Sequence, residues 1–247
     1  MLCIDNRTTD VYFNLAAEEY LLKNTQKDVF MLWQNDPCVV IGKHQDIFAE
    51  VNIGFVNENK IKIARRYSGG GAVYHDQGNL NFTFIETNKS ADFDIFTRKL
   101  IDMLAPLGIS ASTDERRGIT IDGLKISGSA QSIYKDRVLF HATLLYSSDL
   151  QKLATSLDTP SEQKLKVRKQ KTAVKSVKSP VTNVLNHLPS SIGLDEIKNY
   201  IINYYTEQTE GNKTDVFKTE DIDRINELRN IKYATESWIY DGKSLKK

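Results

Sequence analysis

Residues 65–84 read Arg-Arg-Tyr-Ser-Gly-Gly-Gly-Ala-Val-Tyr-His-Asp-Gln-Gly-Asn-Leu-Asn-Phe-Thr-Phe, and the fold turns on them. Gly69, Gly70 and Gly71 remove every Cβ from a turn, so the backbone there can take positive φ and approach a bound group closely. Upstream, Lys60-Ile61-Lys62-Ile63 alternates and runs into Ala64-Arg65-Arg66. This reads as a strand that delivers two guanidinium groups to the mouth of the loop, where they would face an anion. Downstream, Leu80, Phe82 and Phe84 alternate with Asn81, Thr83 and Ile85, a second strand with an aromatic face. A plain hairpin with a glycine tip does not need two arginines before it or Ser68, His75, Asp76 and Asn79 around it. The phosphate loop Gly-x-x-x-x-Gly-Lys-Ser/Thr and a Gly-x-Gly-x-x-Gly between strand and helix are both absent, which excludes those nucleotide folds.

Composition narrows the class. The 247 residues are 40% hydrophobic and 26% charged with a formal net charge of +1. That suits a globular protein with a sizeable core and gives no general electrostatic case for nucleic acid. Two cysteines, Cys3 and Cys38, are too few for a disulfide framework or a cysteine-rich zinc site, so a reducing cytoplasm is expected. No signal segment and no run of ~18 apolar residues is present, so no membrane span is expected.

Outward from the loop, Asn14 is expected to cap a helix from about Leu15 to Asn24, with Glu18-Glu19 tolerated in its N-terminal half. Val29–Trp33 and Cys38–Ile41 read as strands, and Cys38 as a buried structural thiol. Phe96, Leu100, Met103, Leu104 and Leu107 recur at helical spacing until Pro106 and Gly108 end the segment. Further strands are expected at Ile119–Ile121, Leu124–Ile126 and Val138–Leu145. Lys125 stands there among small neighbours, Gly123, Ser127, Gly128, Ser129 and Ala130, which leave room for a ligand; alone it could equally be an edge-strand lysine. His141, alone, reads as a satisfied core histidine. Between Lys164 and Lys178 stand seven Lys or Arg and no acid. Such a run is a solvated loop or a lid that orders over an anion, with Lys175 and Lys178 closing it. Two structural helices are expected around Ile197–Tyr205 and Ile222–Leu228, and the basic tail is expected to fray.

Residues 65–76, Gly-Leu-Lys-Ile-Ser-Gly-Ser-Ala at 123–130, Phe-His-Ala-Thr-Leu-Leu at 140–145, Ser-Val-Lys-Ser-Pro-Val-Thr-Asn at 176–183 and the segment 233–238 together closely resemble the lipoate-protein ligase family. The resemblance spans essentially the whole chain. It implies a biotin/lipoate ligase-type α/β (α+β) fold, a mixed, largely antiparallel sheet flanked by helices. It implies one catalytic domain over residues 1–247 with a mobile basic loop at about 161–182 and no C-terminal accessory domain. The implied chemistry activates lipoate with ATP and Mg2+ to lipoyl-adenylate and pyrophosphate, then transfers the lipoyl group to a lysine of a carrier domain. Carriers would be E2 subunits of 2-oxoacid dehydrogenase complexes or the glycine cleavage H protein, met by a monomer, with a separate accessory protein as a further partner.

By motif, Lys125 becomes the catalytic cation on the carboxylate and acyl-phosphate. Arg66, Ser68, Gly69, Gly70, Gly71, His75, Asn79 and His141 would line the lipoyl and adenylate pocket, and Lys175, Lys178, Val181 and Thr182 would belong to the adenylate-covering loop. Where the family commonly has Asn-Asp-Leu, this chain has Arg117-Gly118-Ile119, so a carboxylate near the phosphates is expected to be missing and no metal ligand is assigned. The competing readings are an octanoyl or lipoyl transferase, which needs a nucleophilic cysteine that Gly108–Arg117 lacks, and a noncatalytic lipoate- or nucleotide-binding module.

Overall fold

The computed structural model describes residues 1–87, 92–164, 174–207 and 211–243. Its strands are β1 (Leu2–Asn6), β2 (Val29–Trp33), β3 (Cys38–Ile41), β4 (Lys62–Arg65), β5 (Val73–His75), β6 (Asn79–Thr87), β7 (Ser112–Thr113), β8 (Ile119–Ile121), β9 (Leu124–Ser127), β10 (Ser129–Tyr134), β11 (Arg137–Leu145) and β12 (Lys213–Asp215). Its helices are α1 (Val11–Asn24), α2 (Ile47–Glu50), α3 (Ile53–Glu58), α4 (Asp94–Leu104), α5 (Leu150–Ser156), α6 (Ser161–Lys164), α7 (Leu194–Glu207), α8 (Thr219–Leu228) and α9 (Glu236–Asp241).

Six strands form one sheet in the order β10-β11-β6-β2-β1-β12, antiparallel from β10 to β2 and parallel from β2 to β12. Both its faces are covered, which is why β2 reads as the unbroken apolar run Val-Phe-Met-Leu-Trp. Period two splits that run: Phe30 and Leu32 join a core completed by Phe96, Leu100 and Met103 of α4 and Ile197, Ile201 and Tyr205 of α7. Val29, Met31 and Trp33 join the opposite core with Val11, Leu15 and Leu22 of α1 and Ile225 of α8. Each such buried side chain contributes about 1.5–3 kcal/mol of transfer free energy, so the two layers fix the sheet between them.

Two smaller sheets sit against this frame, β4-β3-β5 and β7-β8-β9. The glycine loop joins β4 to β5, which lie on opposite edges of β3, one parallel and one antiparallel to it. It is therefore no hairpin tip: β6, which the alternation marked as the strand after the loop, belongs to the six-stranded sheet. The described residues include no helix long and apolar enough to cross a membrane.

Some local readings change. Helix α1 begins a turn earlier than expected because Asp10, not Asn14, caps it by accepting from Tyr12 N. Asn14 is instead fully buried, its amide donating to Thr8 O, Gln34 O and Asn35 Oδ1. Ile222 of α8 is 38% exposed, so only part of the expected apolar face is used. Residues 161–164 of the basic stretch form α6. Its continuation, 165–173, and the tail, 244–247, lie outside the described residues.

Candidate active site

Successive residues on a strand point to opposite faces, and Arg65 and Arg66 do so at the end of β4. Arg66 is 5% exposed and turns into the glycine loop that follows it. Its Nε donates to Ser68 Oγ and Gly69 O (both 3.1 Å), Nη1 to Val40 O (3.2 Å) and Nη2 to Gly69 O and to Gly71 O (2.8 Å). The guanidinium thus shapes the loop from inside. Burial pushes its pKa down to about 10, with the charge of Glu18 opposing, so it stays protonated near neutrality. Only the middle glycine needs a left-handed backbone: Gly70 has φ +86°. Arg65 departs from expectation. Rather than reaching the mouth of the glycine loop, it points away and donates to backbone carbonyls, those of Gly42, Lys43, Gln45, Trp238, Ile239 and Tyr240, with the charges of Asp46 and Asp241 also acting on it.

Behind the loop runs a buried polar chain. Glu18 of α1 accepts from His141 Nδ1 at 2.9 and 3.0 Å, and His141 Nε2 meets Ser68 Oγ at 2.7 Å. Glu18 also accepts from Thr83 Oγ1 (2.6 Å), which in turn accepts from Trp33 Nε1 (2.8 Å). The chain fixes the rotamers of Ser68 and His141 from a helix and two strands. His75 sits beside it, its Nδ1 accepting from the Asn35 amide at 2.8 Å, which puts the proton on Nε2. That Nε2 is buried and meets no hydrogen-bond partner among the described residues. Burial, helped by the charges of Arg66 and His141, pushes His75 down to about 3, so it is neutral at physiological pH.

Two cavities meet here. The smaller, about 230 Å³, is lined by the apolar Leu15, Trp33 and Val40 together with Arg66, Gly71, His75, Asn81, Lys125 and His141, among others. The larger, about 940 Å³, is lined by Glu50, Tyr74, Leu153, Lys178 and Val181 among others. Lys125, Gly128, Thr143, Lys175, Ser176 and Val177 border both. Lys125 is fixed on β9 by the chain segment beyond the basic stretch: its N donates to Pro180 O (2.8 Å) and its O accepts from Thr182 N (3.1 Å). Its ammonium has no hydrogen bond or ion pair to a described residue. Burial lowers its pKa; the charge of Asp114 opposes this and that of Arg116 adds to it.

The described end of the basic stretch lies against the glycine loop. Ser176 Oγ accepts from Ala72 N (2.8 Å) and Gln45 Nε2 (3.0 Å), and Ser176 N donates to Glu50 Oε2 (3.0 Å). Lys178 pairs with Asp158 at 2.6 Å on the exposed rim.

Of the residues singled out in the sequence, Arg66, Gly71, His75, His141, Lys125 and Lys175 line the smaller cavity, and Lys125, Lys175, Lys178 and Val181 line the larger. Ser68, Gly69 and Gly70 stand behind, in the loop. Asn79 is fully buried and donates to Asn81 Oδ1 (3.0 Å), and it is Asn81 that reaches the cavity. Thr182 is turned away toward His187 Nε2. Sequence reasoning missed Glu18, Trp33 and Asn81. The adjacent acids Glu18-Glu19 in the middle of an apolar helix were the available signal, because two buried carboxylates need partners. It also did not single out Asp114, whose charge acts on Lys125. Both cysteines are fully buried, and burial pushes both thiols up.

Comparison with known proteins agrees with this geometry. A family model described as the lipoyl protein ligase A/B catalytic domain matches residues 10–206. Lipoate-protein ligase 1 of Staphylococcus aureus is 36% identical over 242 residues, covering 96% of this chain and 72% of the relative. Lipoate-protein ligase LplJ of Bacillus subtilis is 35% identical over 257 residues, covering 100% and 75%. Among solved structures, a bi-partite lipoate protein ligase of Thermoplasma acidophilum, studied with its E2 lipoyl domain, superposes with TM-score 0.81 at 28% identity over 99% of this chain and 97% of that one. A putative lipoate protein ligase from T. acidophilum with bound lipoic acid gives TM-score 0.79 at 28% identity over 96% and 98%. Lipoate-protein ligase A bound with ATP gives 0.78 at 28% identity over 97% of each. The fold, the two joined cavities and the matched residues 10–206 lead to one conclusion: the chain belongs to the lipoyl protein ligase A/B catalytic-domain family.

Proposed function

We propose that this chain is an ATP-dependent lipoate-protein ligase. The observation that carries the reading is the position of Lys125 on the wall shared by a narrow, partly apolar slot and a larger cavity. The slot, with Leu15, Trp33 and Val40 in its lining, suits the apolar dithiolane tail, and the larger cavity suits a nucleotide. The lipoate-bound and ATP-bound relatives support both assignments. In the first step a lipoate carboxylate oxygen attacks the α-phosphorus of ATP and pyrophosphate leaves. In the second, a carrier lysine amine attacks the acyl carbon and AMP leaves. Lys125 serves both, as a fixed cation beside the oxygens on which negative charge develops. Arg66, through Gly69 and Gly71, holds the loop whose backbone borders the bound acyl group. His75 Nε2–H is a preset donor, and the Glu18–His141–Ser68 chain, its own donors used internally, holds the Ser68 end of the glycine loop in place. Lys175 and Lys178 neutralise phosphate, and the 174–182 segment excludes water from the anhydride.

Mg2+ enters this scheme with the nucleotide. Among the described residues no group of three His, Cys, Asp or Glu converges to cage an ion. Mg2+ ordinarily takes one or two carboxylates and several phosphate or water oxygens, so an ion carried in on ATP fits this donor set. Its contribution when bound is to neutralise the phosphates.

The carriers we assign are lipoyl domains of E2 subunits and the glycine cleavage H protein, met in the cytoplasm by a monomer. A transferase working through a thioester is disfavoured because Cys3 and Cys38 are buried and border neither cavity. The test is to incubate the pure protein with lipoate, ATP, Mg2+ and a lipoyl carrier domain and to weigh the carrier. A mass gain dependent on ATP and lipoate is expected. An arm with supplied lipoyl-adenylate separates the half-reactions, and an arm with an added accessory protein reads whether activation needs one. Modification only from an acyl-carrier thioester would replace this reading with the transferase, and no modification in any arm would leave a binding module.

A further inference from the structure

Between β7 and β8 the chain closes a tight loop, 114–118. Asp114 N donates to Gly118 O (2.8 Å) and Arg117 N to Asp114 O (3.0 Å), with Arg117 left-handed at φ +61°. Inside that ring, Asp114 Oδ1 accepts from both Arg116 N (2.8 Å) and Gly118 N (2.7 Å). One carboxylate oxygen is thus committed to the backbone, and the other, Oδ2, lies over Gly118. A Cβ placed on Gly118 would be 2.7 Å from Asp114 Oδ2 and 2.9 Å from Lys125 Cε. Carboxylate and lysine stem therefore converge on the one space that a side chain at 118 would fill.

The charges facing Lys125 make that convergence consequential. Arg116 comes from the same loop, Lys175 from the 174–182 segment and Arg66 from the smaller cavity, whose wall also carries the imidazoles of His75 and His141. The carboxylates bordering or backing the cavities are otherwise engaged: Glu18 with His141 and Thr83, Glu50 with Ser176 N, Asp158 with Lys178. Asp114 is the carboxylate that acts on Lys125, and its own pKa stays lowered. Burial would raise it, but the Gly118 and Arg116 amides and the Lys125 and Arg116 charges prevail. A half-buried lysine among cations, with no such neighbour, would shed its proton or swing toward solvent.

We propose that Asp114 is a positioning residue for Lys125, holding its side chain charged and aimed at the wall between the cavities, and that Gly118 is glycine to admit this carboxylate from four residues upstream. The role in turnover rests on the ligase reading above; the pairing itself does not. The carboxylate should accordingly be relocatable, from 114 to 118, without loss of its effect.

The experiment measures Lys125 directly, by competitive acylation with a small amine-reactive reagent across pH and mass spectrometry of the Lys125 peptide, with no substrate present. Asp114→Asn keeps an acceptor for the two amides, so the loop is retained while the charge is lost. Its labelling midpoint should move to lower pH, and lipoyl transfer at pH 7 should fall about 10-fold with KM for lipoate little changed. Asp114→Ala should show the same midpoint shift, and Asp114→Ala/Gly118→Asp should bring midpoint and turnover back toward wild type. An unchanged midpoint in Asp114→Asn overturns the pairing. A shifted midpoint with undiminished turnover overturns the positioning role, and a double variant that is folded but unrestored overturns the relocation. If the wild type itself does not lipoylate, the ligase reading fails while the labelling still decides the pairing.

Discussion

Arg65 and Arg66 are neighbours of identical chemistry, and strand β4 sends them to opposite tasks. Arg66 spends its donors on the loop that borders the slot. Arg65 spends its donors on the scaffold: Gly42, Lys43 and Gln45 on one side and the last carbonyls of α9, residues 238–240, on the other. A cation among the last carbonyls of a helix C-terminus is favourably placed, and its five N–H groups meet six acceptors. The same residue type thus fastens the far end of the chain from one face of β4 and tunes a binding loop from the other. Strand alternation, not residue identity, decides which arginine does which.

The largest effect that could break this division is on stability. Arg65→Met removes one donor group from six carbonyls in a buried site, of which Gly42 O and Trp238 O keep a backbone amide, and a loss of about 3–5 kcal/mol is expected in urea unfolding. The folded fraction should retain its activity per molecule. Lost activity at unchanged stability would move Arg65 to the pocket side.

On the pocket face the expected asymmetry is reversed. Lys125→Met removes a half-buried cation whose ammonium bonds no described residue, so unfolding should change little. The transfer rate from lipoyl-adenylate should fall by ~3 kcal/mol, more than 100-fold. A folded variant that modifies its carrier at the normal rate would remove Lys125 from the mechanism.

The pocket face also carries its own pH signature, smaller than either. His75 is pushed down to about 3 in the native protein against 6.5 for an unstrained histidine. Between those values the unfolded chain binds the extra proton, so the stabilising effect is complete above about pH 6.5 and is lost as pH falls. The loss reaches about 2 kcal/mol by pH 5. His75→Gln should flatten the stability profile between pH 6.5 and 5. An equally steep profile in that variant would assign the acid sensitivity elsewhere.

Much of this division was legible in sequence, and the illegible part has a common cause. The strands β2, β3, β6 and β11, helix α4 and the apolar faces of α7 and α8 follow from local periodicity. Lys125, Arg66, His75 and His141 were found by motif. What was missed depends on contacts between distant segments: Glu18 needs His141 from 123 residues away, and Arg65 needs carbonyls beyond residue 237. The pair Arg65-Arg66 was read as one cationic patch because each looks alike in sequence; only the position of α9 distinguishes them. Asn14 misled in the same way, since its capping chemistry also suits a buried amide tying Thr8, Gln34 and Asn35 together.

The finest version of the comparison is between two more neighbours, Gly69 and Gly70. A Cβ on Gly69 meets nothing within 4 Å, and its φ lies outside the left-handed range. One on Gly70 would sit 2.9 Å from Arg66 Nη2 on a backbone at φ +86°. Gly70→Ala therefore carries two costs. The left-handed conformation is disfavoured by ~1–2 kcal/mol for an L side chain, and relief of the clash must come from the guanidinium that holds Gly69 O and Gly71 O. Displacing Arg66 opens the loop, so affinity for lipoyl-adenylate should fall along with stability. Gly69→Ala should change stability by no more than ~0.5 kcal/mol and leave affinity intact. Measuring both variants by thermal unfolding and by titration with the adenylate tests whether Arg66 governs the loop. Equal losses in the two would mean that the loop as a whole, and not the contact between Gly70 and Arg66, sets the affinity.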